Sequence, residues 1–266
     1  GGGSSGPAHR EQTELMLYDT HAHLDDRRLF SDIDAVLGRA REAGVGLINT
    51  VGCDWKSSLL SVHIAEKYPE LVRAVVGVHP SELDNFSDAL LERLLDLAKS
   101  PLVVAWGEIG LDYHYPDAVK AAQQPAFRAQ IAVAKEAGLP IVIHGRDAHQ
   151  DLLRIIKAEK AGINGGVMHC FSGSWEMARE CLSQGFYISF AGPLTFANAK
   201  TPVEVAARAP LDRLLVETDC PYLSPHPFRG KPNEPARVAN SAARLAEIGS
   251  LDEAELAELT TANGKA

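Results

Sequence analysis

With 266 residues, a formal net charge of −9, 45% hydrophobic and 23% charged residues, the chain has the balance of an ordinary globular protein, which leaves no surplus of polar sequence for a long disordered region. The negative charge excludes a role that coats nucleic acid by bulk attraction; contact with a polyanion has to come from a local basic patch or from bound cations. Cys53, Cys170, Cys181 and Cys220 form no CxxC pair, no apolar run approaches the roughly 20 residues of a membrane span, and the N-terminus lacks the charged-then-apolar order of a signal peptide, so free thiols in a reducing cytoplasm are expected.

The opening GGGSSG reads as a flexible linker, and residues 1–15, His9 among them, are set apart from a single expected domain over 16–266. Short aliphatic runs then recur in order. Leu17 to Thr20 leads into HAH; Val45 to Val51, Val72 to Val78, Leu102 to Trp106, Pro140 to Ile143, Gly166 to Met168, Phe186 to Phe190 and Arg213 to Glu217 follow. They are rich in Val, Ile and Leu and continuous rather than alternating, the pattern of parallel strands covered on both faces. Helix candidates lie between them: Ser31-x-x-Asp34 resembles a capping-box start with Gly44 as its stop, Ser87 opens ALLERLLDLAKS, Gly138 closes QIAVAKEAG, and Gly185 closes a run from Trp175. Eight such units predict an α/β protein of the (β/α)8 TIM-barrel type in preference to an open doubly wound sheet, which usually has five or six strands. No glycine-rich phosphate loop follows the first run.

Active sites of such barrels sit at the strand C-termini, so the residues there carry the functional argument. His21 and His23 end the first strand, His79 follows the third, Glu108 the fourth, His144 the fifth, His169 the sixth and Asp219 the eighth. The HxH pair puts two imidazoles on one side of an extended strand. Alone, two histidines at a strand end are more often hydrogen-bonded structural groups; the conjunction with Glu108, His144, His169 and Asp219 points to metal. Histidine with carboxylate suits zinc, manganese, iron, cobalt or nickel better than calcium. Four histidines and two carboxylates exceed what one catalytic zinc requires, whereas two ions about 3.5 to 4 Å apart need a bridging ligand that a carboxylate can supply. Two divalent ions, zinc, manganese or magnesium, are the expected cofactors.

The segments DTHAHLD, VGVHPSE, WGEIGLDYH, IVIHGRDAHQDLL, GVMHCFSGS, SFAGPLTFANA and VETDCPYLSPHPFRGKPNEP, in that order from Asp19 onward, resemble the TatD-type deoxyribonucleases of the amidohydrolase superfamily. The resemblance implies that His21 and His23 bind one ion, that Glu108 bridges, that His144 and His169 bind the second, and that Asp219 binds metal while serving as general acid/base. It implies metal-assisted hydrolysis of a phosphodiester near a DNA end, with DNA as substrate. Two rival readings remain on the residues alone: a hydrolase of a different ester, amide or lactone, since fold does not fix substrate, and a metal-binding scaffold without turnover.

The remaining candidates each have two readings. His79 either donates to a phosphate oxygen or packs before the Pro80 turn; Arg146 either clamps an anion bidentately or pairs with Asp147 or Asp151. Tyr113 and His114 either line the pocket or pack. Arg229-Gly230-Lys231 is the best basic cluster on the expected active face, or a solvated loop. His63 and His149 fall inside helices and read as structural or exposed, and Cys170 and Cys220, each following a proposed ligand, are expected to point away from it.

Overall fold

Continuous branched aliphatics form strands here because each strand is covered twice, by the barrel interior on one side and by helices on the other. The computed structural model describes residues 16–115 and 119–266, so the expected linker lies outside the described residues. β1 (Leu17–Ala22), β2 (Val45–Val51), β3 (Val72–Val76), β4 (Val103–Asp112), β5 (Ile141–Arg146), β6 (Gly166–Met168), β7 (Tyr187–Phe190) and β8 (Leu214–Val216) pair in parallel in sequence order. The expected barrel is the fold observed. Between the strands run α1 (Arg27–Phe30), α2 (Ile33–Glu42), α3 (Trp55–Lys67), α4 (Asp88–Leu97), α5 (Lys120–Ala137), α6 (His149–Ala158), α7 (Trp175–Ser183) and α8 (Lys200–Arg208), followed after β8 by α9 (Val238–Ile248) and α10 (Glu253–Lys265). No described helix is long and apolar enough to cross a membrane.

Val51, Val75, Ala105 and Val142, one from each of β2 to β5, form a small cluster apart from the main core. Side chains from four neighbouring strands meet only on the concave side of a curled sheet, so these residues fill the barrel. The larger cluster lies between strands and helices and includes Trp106, Phe127 and Ile131, all buried. There Gln130 of α5 accepts from Trp106 Nε1 (3.1 Å) and Val78 N (2.9 Å) and donates to Val78 O (2.9 Å), fastening α5 to β3 and β4. A leucine at 130 would leave these buried groups unpaired, at about 1–3 kcal/mol each.

The seam between β8 and β1 closes through Asp19. Its carboxylate accepts from Thr218 N (2.9 Å) and Thr218 Oγ1 (2.6 Å), and backbone bonds run from Asp219 N to His21 O (2.8 Å) and from His23 N to Cys220 O (2.9 Å). At the opposite end α10 caps the same seam, Asn263 Nδ2 donating to Leu211 O and Leu214 O and Thr261 Oγ1 to Met16 O.

Two local expectations need correction. Ser31 does not start a helix: it is the C-cap of the short α1, whose N-cap Asp26 accepts from Arg28 N, and α2 begins at Ile33 without a side-chain cap. Asp34, the expected capping partner, accepts instead from the Tyr68 hydroxyl. The fourth strand also runs six residues beyond Trp106, because Gly107 and Gly110 let the backbone approach β5: a Cβ at Gly110 would lie 1.9 Å from His144 O. Its register slips by one residue between Trp106 and Ile109. Such a bulge re-aims a side chain, and the residues in it are Gly107 and Glu108.

Candidate metal centre

Every candidate ligand lies toward the C-terminal side of a strand or just past it, except Glu108, which lies within β4. His21 is the second-last residue of β1 and His23 follows the strand; Glu108 occupies the β4 bulge, His144 lies in β5, His169 follows β6 and Asp219 follows β8. Asp219 adopts φ 56°, a left-handed conformation that turns the chain just past the strand.

The Glu108 carboxylate divides the cluster. Its Oε2 lies 3.3 Å from His21 Nε2 and 3.7 Å from His23 Nε2, whereas its Oε1 lies 3.0 Å from His144 Nδ1, 3.1 Å from His169 Nε2 and 3.7 Å from His79 Nε2. Asp219 Oδ1 joins the first side, 3.1 Å from His23 Nε2 and 3.6 Å from His21 Nε2. The His21 and His169 rings stack at 3.6 Å between the two sides.

Outer hydrogen bonds fix which ring nitrogen can be a ligand. His144 Nε2 meets Asp112 Oδ2 at 2.9 Å and His169 Nδ1 meets Glu217 Oε2 at 2.6 Å; a carboxylate only accepts, so those nitrogens carry hydrogen and the opposite ones face Glu108. His23 Nδ1 likewise donates to Val51 O (2.9 Å) and turns Nε2 toward Asp219. His79 is different. Ser81 N donates to its Nδ1 (3.0 Å), so the neutral ring carries its hydrogen on Nε2 and presents a donor, not a lone pair. His79 and His144 converge on Glu108 closely enough to share an ion, but this tautomer argues against His79 as a ligand. Glu217 lies near His21 and His169, yet its oxygens are already engaged by His169 and by Cys170 N (2.9 Å), which makes it an orienting group.

The charges agree with this division. Burial would push the Glu108 carboxyl up, but His169, His21 and His79 outweigh it and hold the group well below the usual range; Asp219 is also lowered, with His169 and His23 overcoming burial. Burial works against protonation of His144, yet Asp112 and Glu108 raise it to about 9. Burial lowers His79 to about 4, so it is neutral at pH 7. His21 is 1% exposed and neither ring nitrogen has a hydrogen-bond partner. An orphaned buried imidazole is costly unless something coordinates it, so the donor set of His21, His23, Glu108, His144, His169 and Asp219 fits metal ions.

The outlying candidates sit farther from the cluster. Arg146 is exposed at the end of β5 with its guanidinium 5.9 Å from the Tyr115 ring centre, and it pairs with neither Asp147 nor Asp151: Asp147 takes His114 and Asp151 takes Arg154. Tyr113 donates its hydroxyl to Asp151 (3.0 Å) and accepts from Gln124 (2.9 Å). Arg229 is exposed and stacked on Phe196 at 3.8 Å. Cys170 has φ 43°, so the segment expected to be extended is turned there, and Cys220 is fully buried.

Sequence reasoning passed over Asp112 and Glu217. The available signal was cost: an acid inside or ending an aliphatic strand is not left buried without a partner. Asn233, also missed, is fully buried and donates to Thr218 O and Tyr222 O, bracing the loop that carries Asp219.

A parallel eight-stranded barrel with imidazoles and carboxylates gathered toward its strand C-termini is a frame that metal-dependent hydrolases use. Within that class the chain belongs to the TatD family: the family model described as "TatD related DNase" matches residues 18–266. It is 46% identical over 250 residues to the "Uncharacterized metal-dependent hydrolase YabD" of Bacillus subtilis, covering 94% of this chain and 98% of that protein. It is 32% identical to the "3'-5' ssDNA/RNA exonuclease TatD" of Edwardsiella piscicida, with 94% and 98% covered. Among solved structures, the TatD homolog YJJV of Escherichia coli K12 superposes with a TM-score of 0.88 at 34% identity, covering 93% of this chain and 95% of that one.

Proposed function

We propose that the chain is a binuclear metal-dependent nuclease that hydrolyses phosphodiesters of single-stranded DNA from an end. The observation that carries this reading is the single Glu108 carboxylate whose two oxygens face two different sets of imidazoles. In this assignment His21, His23 and Asp219 would hold one divalent ion, His144 and His169 would hold the other, and Glu108 would be shared between them. Zinc, manganese and magnesium are the candidate ions. When bound, such ions supply a more acidic water and positive charge against the phosphoryl group.

The remaining steps belong to the chain. Asp219, held ionised among imidazoles, takes the proton of the attacking water and passes it to the leaving oxygen. His79 Nε2–H donates to a phosphoryl oxygen, its direction fixed by Ser81. Arg146 and Arg229, exposed and without carboxylate partners among the described residues, bind flanking phosphates, and Tyr113 shapes the loop between them through Asp151. The exonuclease name of the Edwardsiella relative supports the substrate class and a 3′ start. The four free cysteines support a reducing compartment such as the cytoplasm.

Metal-stripped protein resupplied with magnesium, manganese or zinc, incubated with end-labelled single-stranded DNA beside Asp219→Asn, tests the reading. A metal-dependent ladder that the variant loses is expected. Protein that retains two metal equivalents but cuts no oligonucleotide would overturn the nuclease assignment and move the substrate to another ester or an amide.

A further inference from the structure

Three residues after Asp219 the chain exposes two large apolar side chains in succession, Tyr222 at 49% and Leu223 at 38%. Scattered apolar exposure is ordinary, but this pair is held out against resistance. Leu223 has φ 56°, a left-handed backbone that a branched side chain adopts only when its surroundings impose it. The surroundings do so. Asn233 Nδ2 donates to Tyr222 O (2.9 Å), Asn233 N to Pro221 O (2.9 Å), and Tyr222 N to Asp219 O (3.0 Å). The Leu223 carbonyl lies against Gly192, where even a Cβ would be 2.0 Å away. The loop is therefore braced, and strained at the residue whose side chain it presents to solvent.

The location is equally specific. The Tyr222 ring stands edge-on to His23 with centroids 6.1 Å apart, so the step adjoins the candidate ligands. The Arg28 guanidinium lies 5.0 Å over the Tyr222 ring, where the Asp26 carboxylate holds it through Nε and Nη2, each at 3.0 Å. A phosphodiester substrate carries an anion and a flat apolar base together, and base-on-aromatic stacking tolerates any base because each has a π-face.

We propose that Tyr222 and Leu223 form a stacking platform for the nucleobase of the nucleotide next to the scissile bond. A base reaches such a platform only when unpaired, so the site selects frayed or single-stranded ends and is indifferent to base identity. This rests on the nuclease reading above.

The test uses metal-loaded enzyme and two oligodeoxynucleotides carrying 2-aminopurine at the 3′ or the 5′ end, with a phosphorothioate at the terminal link to slow its hydrolysis. Wild-type protein and Tyr222→Phe should quench the fluorophore at the end that is cut; Tyr222→Ala should lose the quenching and raise KM for unmodified oligonucleotide about tenfold or more, as expected for a lost stacked base, with kcat changed far less. Leu223→Gly supplies a second line, since glycine accepts the left-handed backbone and so offsets part of the lost side-chain burial: KM should rise while thermal stability changes little. Cleavage without quenching, or KM unchanged in both variants, overturns the platform and leaves the nuclease reading intact. A change of oligomeric state by light scattering with KM unchanged would instead make the pair a subunit interface. No binding and no cleavage of either oligonucleotide would remove the nuclease reading and the platform with it.

Discussion

The two oxygens of Glu108 look onto unequal neighbourhoods. On the Oε1 side, His144 and His169 are each backed by a carboxylate, Asp112 and Glu217. On the Oε2 side, His23 is backed only by a backbone carbonyl and His21 by nothing. A carboxylate behind an imidazole fixes its tautomer and raises its basicity as a ligand, whereas a carbonyl fixes the tautomer with less charge behind it. A pair of ions in such a site is therefore expected to bind in order, first on the Oε1 side and then beside His21, His23 and Asp219.

The comparison collapses altogether in Glu108→Ala. Both sides lose their shared ligand, and elemental analysis should find neither equivalent retained after desalting, with turnover lost. Retention of one full equivalent would mean that one side does not need the bridge. Next in size are Glu217→Gln and Asp112→Asn, which keep shape and remove only the charge behind His169 or His144. Each should weaken metal binding about 10–100-fold. The loss should be confined to the tighter equivalent in a calorimetric titration, so that the two steps converge; a loss spread evenly over both equivalents would erase the proposed asymmetry.

Protons should report the same division. In the metal-free protein His144 is raised to about 9 and His169 is raised well above the ordinary value, both against burial, by Glu108 with Asp112 and Glu217 respectively. On the other side burial holds His21 down, and only His23 is raised. A raised imidazole keeps its proton until the pH passes its pKa, and a metal ion has to displace it. Apparent affinity therefore rises with pH from about 6 toward 9, by about tenfold per unit for each proton released, and more steeply on the Oε1 side. Parallel slopes for the two equivalents would contradict this.

How much of this could be read in the sequence depended on whether the signal was local. Strand order was legible because every parallel strand carries its own aliphatic run, and β2 and β6 appear with the expected bounds. The six candidate ligands were legible because the barrel places strand C-termini on one face, so position in the chain implied position in space. The extent of β4 was not, because GEIGLD breaks the aliphatic pattern while its glycines keep the backbone paired with β5 past a one-residue register slip. The backing residues Asp112 and Glu217 were hidden for a different reason: their meaning lies in a contact 32 residues away for Asp112 and 48 for Glu217, which no spacing encodes. Ser31 misled because a serine before an acid matches a capping box equally well at the end of one short helix and the start of the next.

The smallest expected effect separates a donor from a ligand. His79 stands on the Oε1 side at 3.7 Å from Glu108, in company with two proposed ligands, and distance alone would make it a third. Its tautomer says otherwise, because Ser81 N can only donate and occupies the Nδ1 lone pair. His79→Phe should therefore leave both metal equivalents bound. The loss in kcat/KM should be about tenfold, what a single hydrogen bond to a charged phosphoryl oxygen contributes. Since burial holds His79 to about 4, it stays a neutral donor above pH 5, and the ratio of variant to wild-type rate should not vary between pH 6 and 9. Loss of a metal equivalent in this variant would show that the ring turns over to coordinate, and would make the Oε1 side a three-imidazole site.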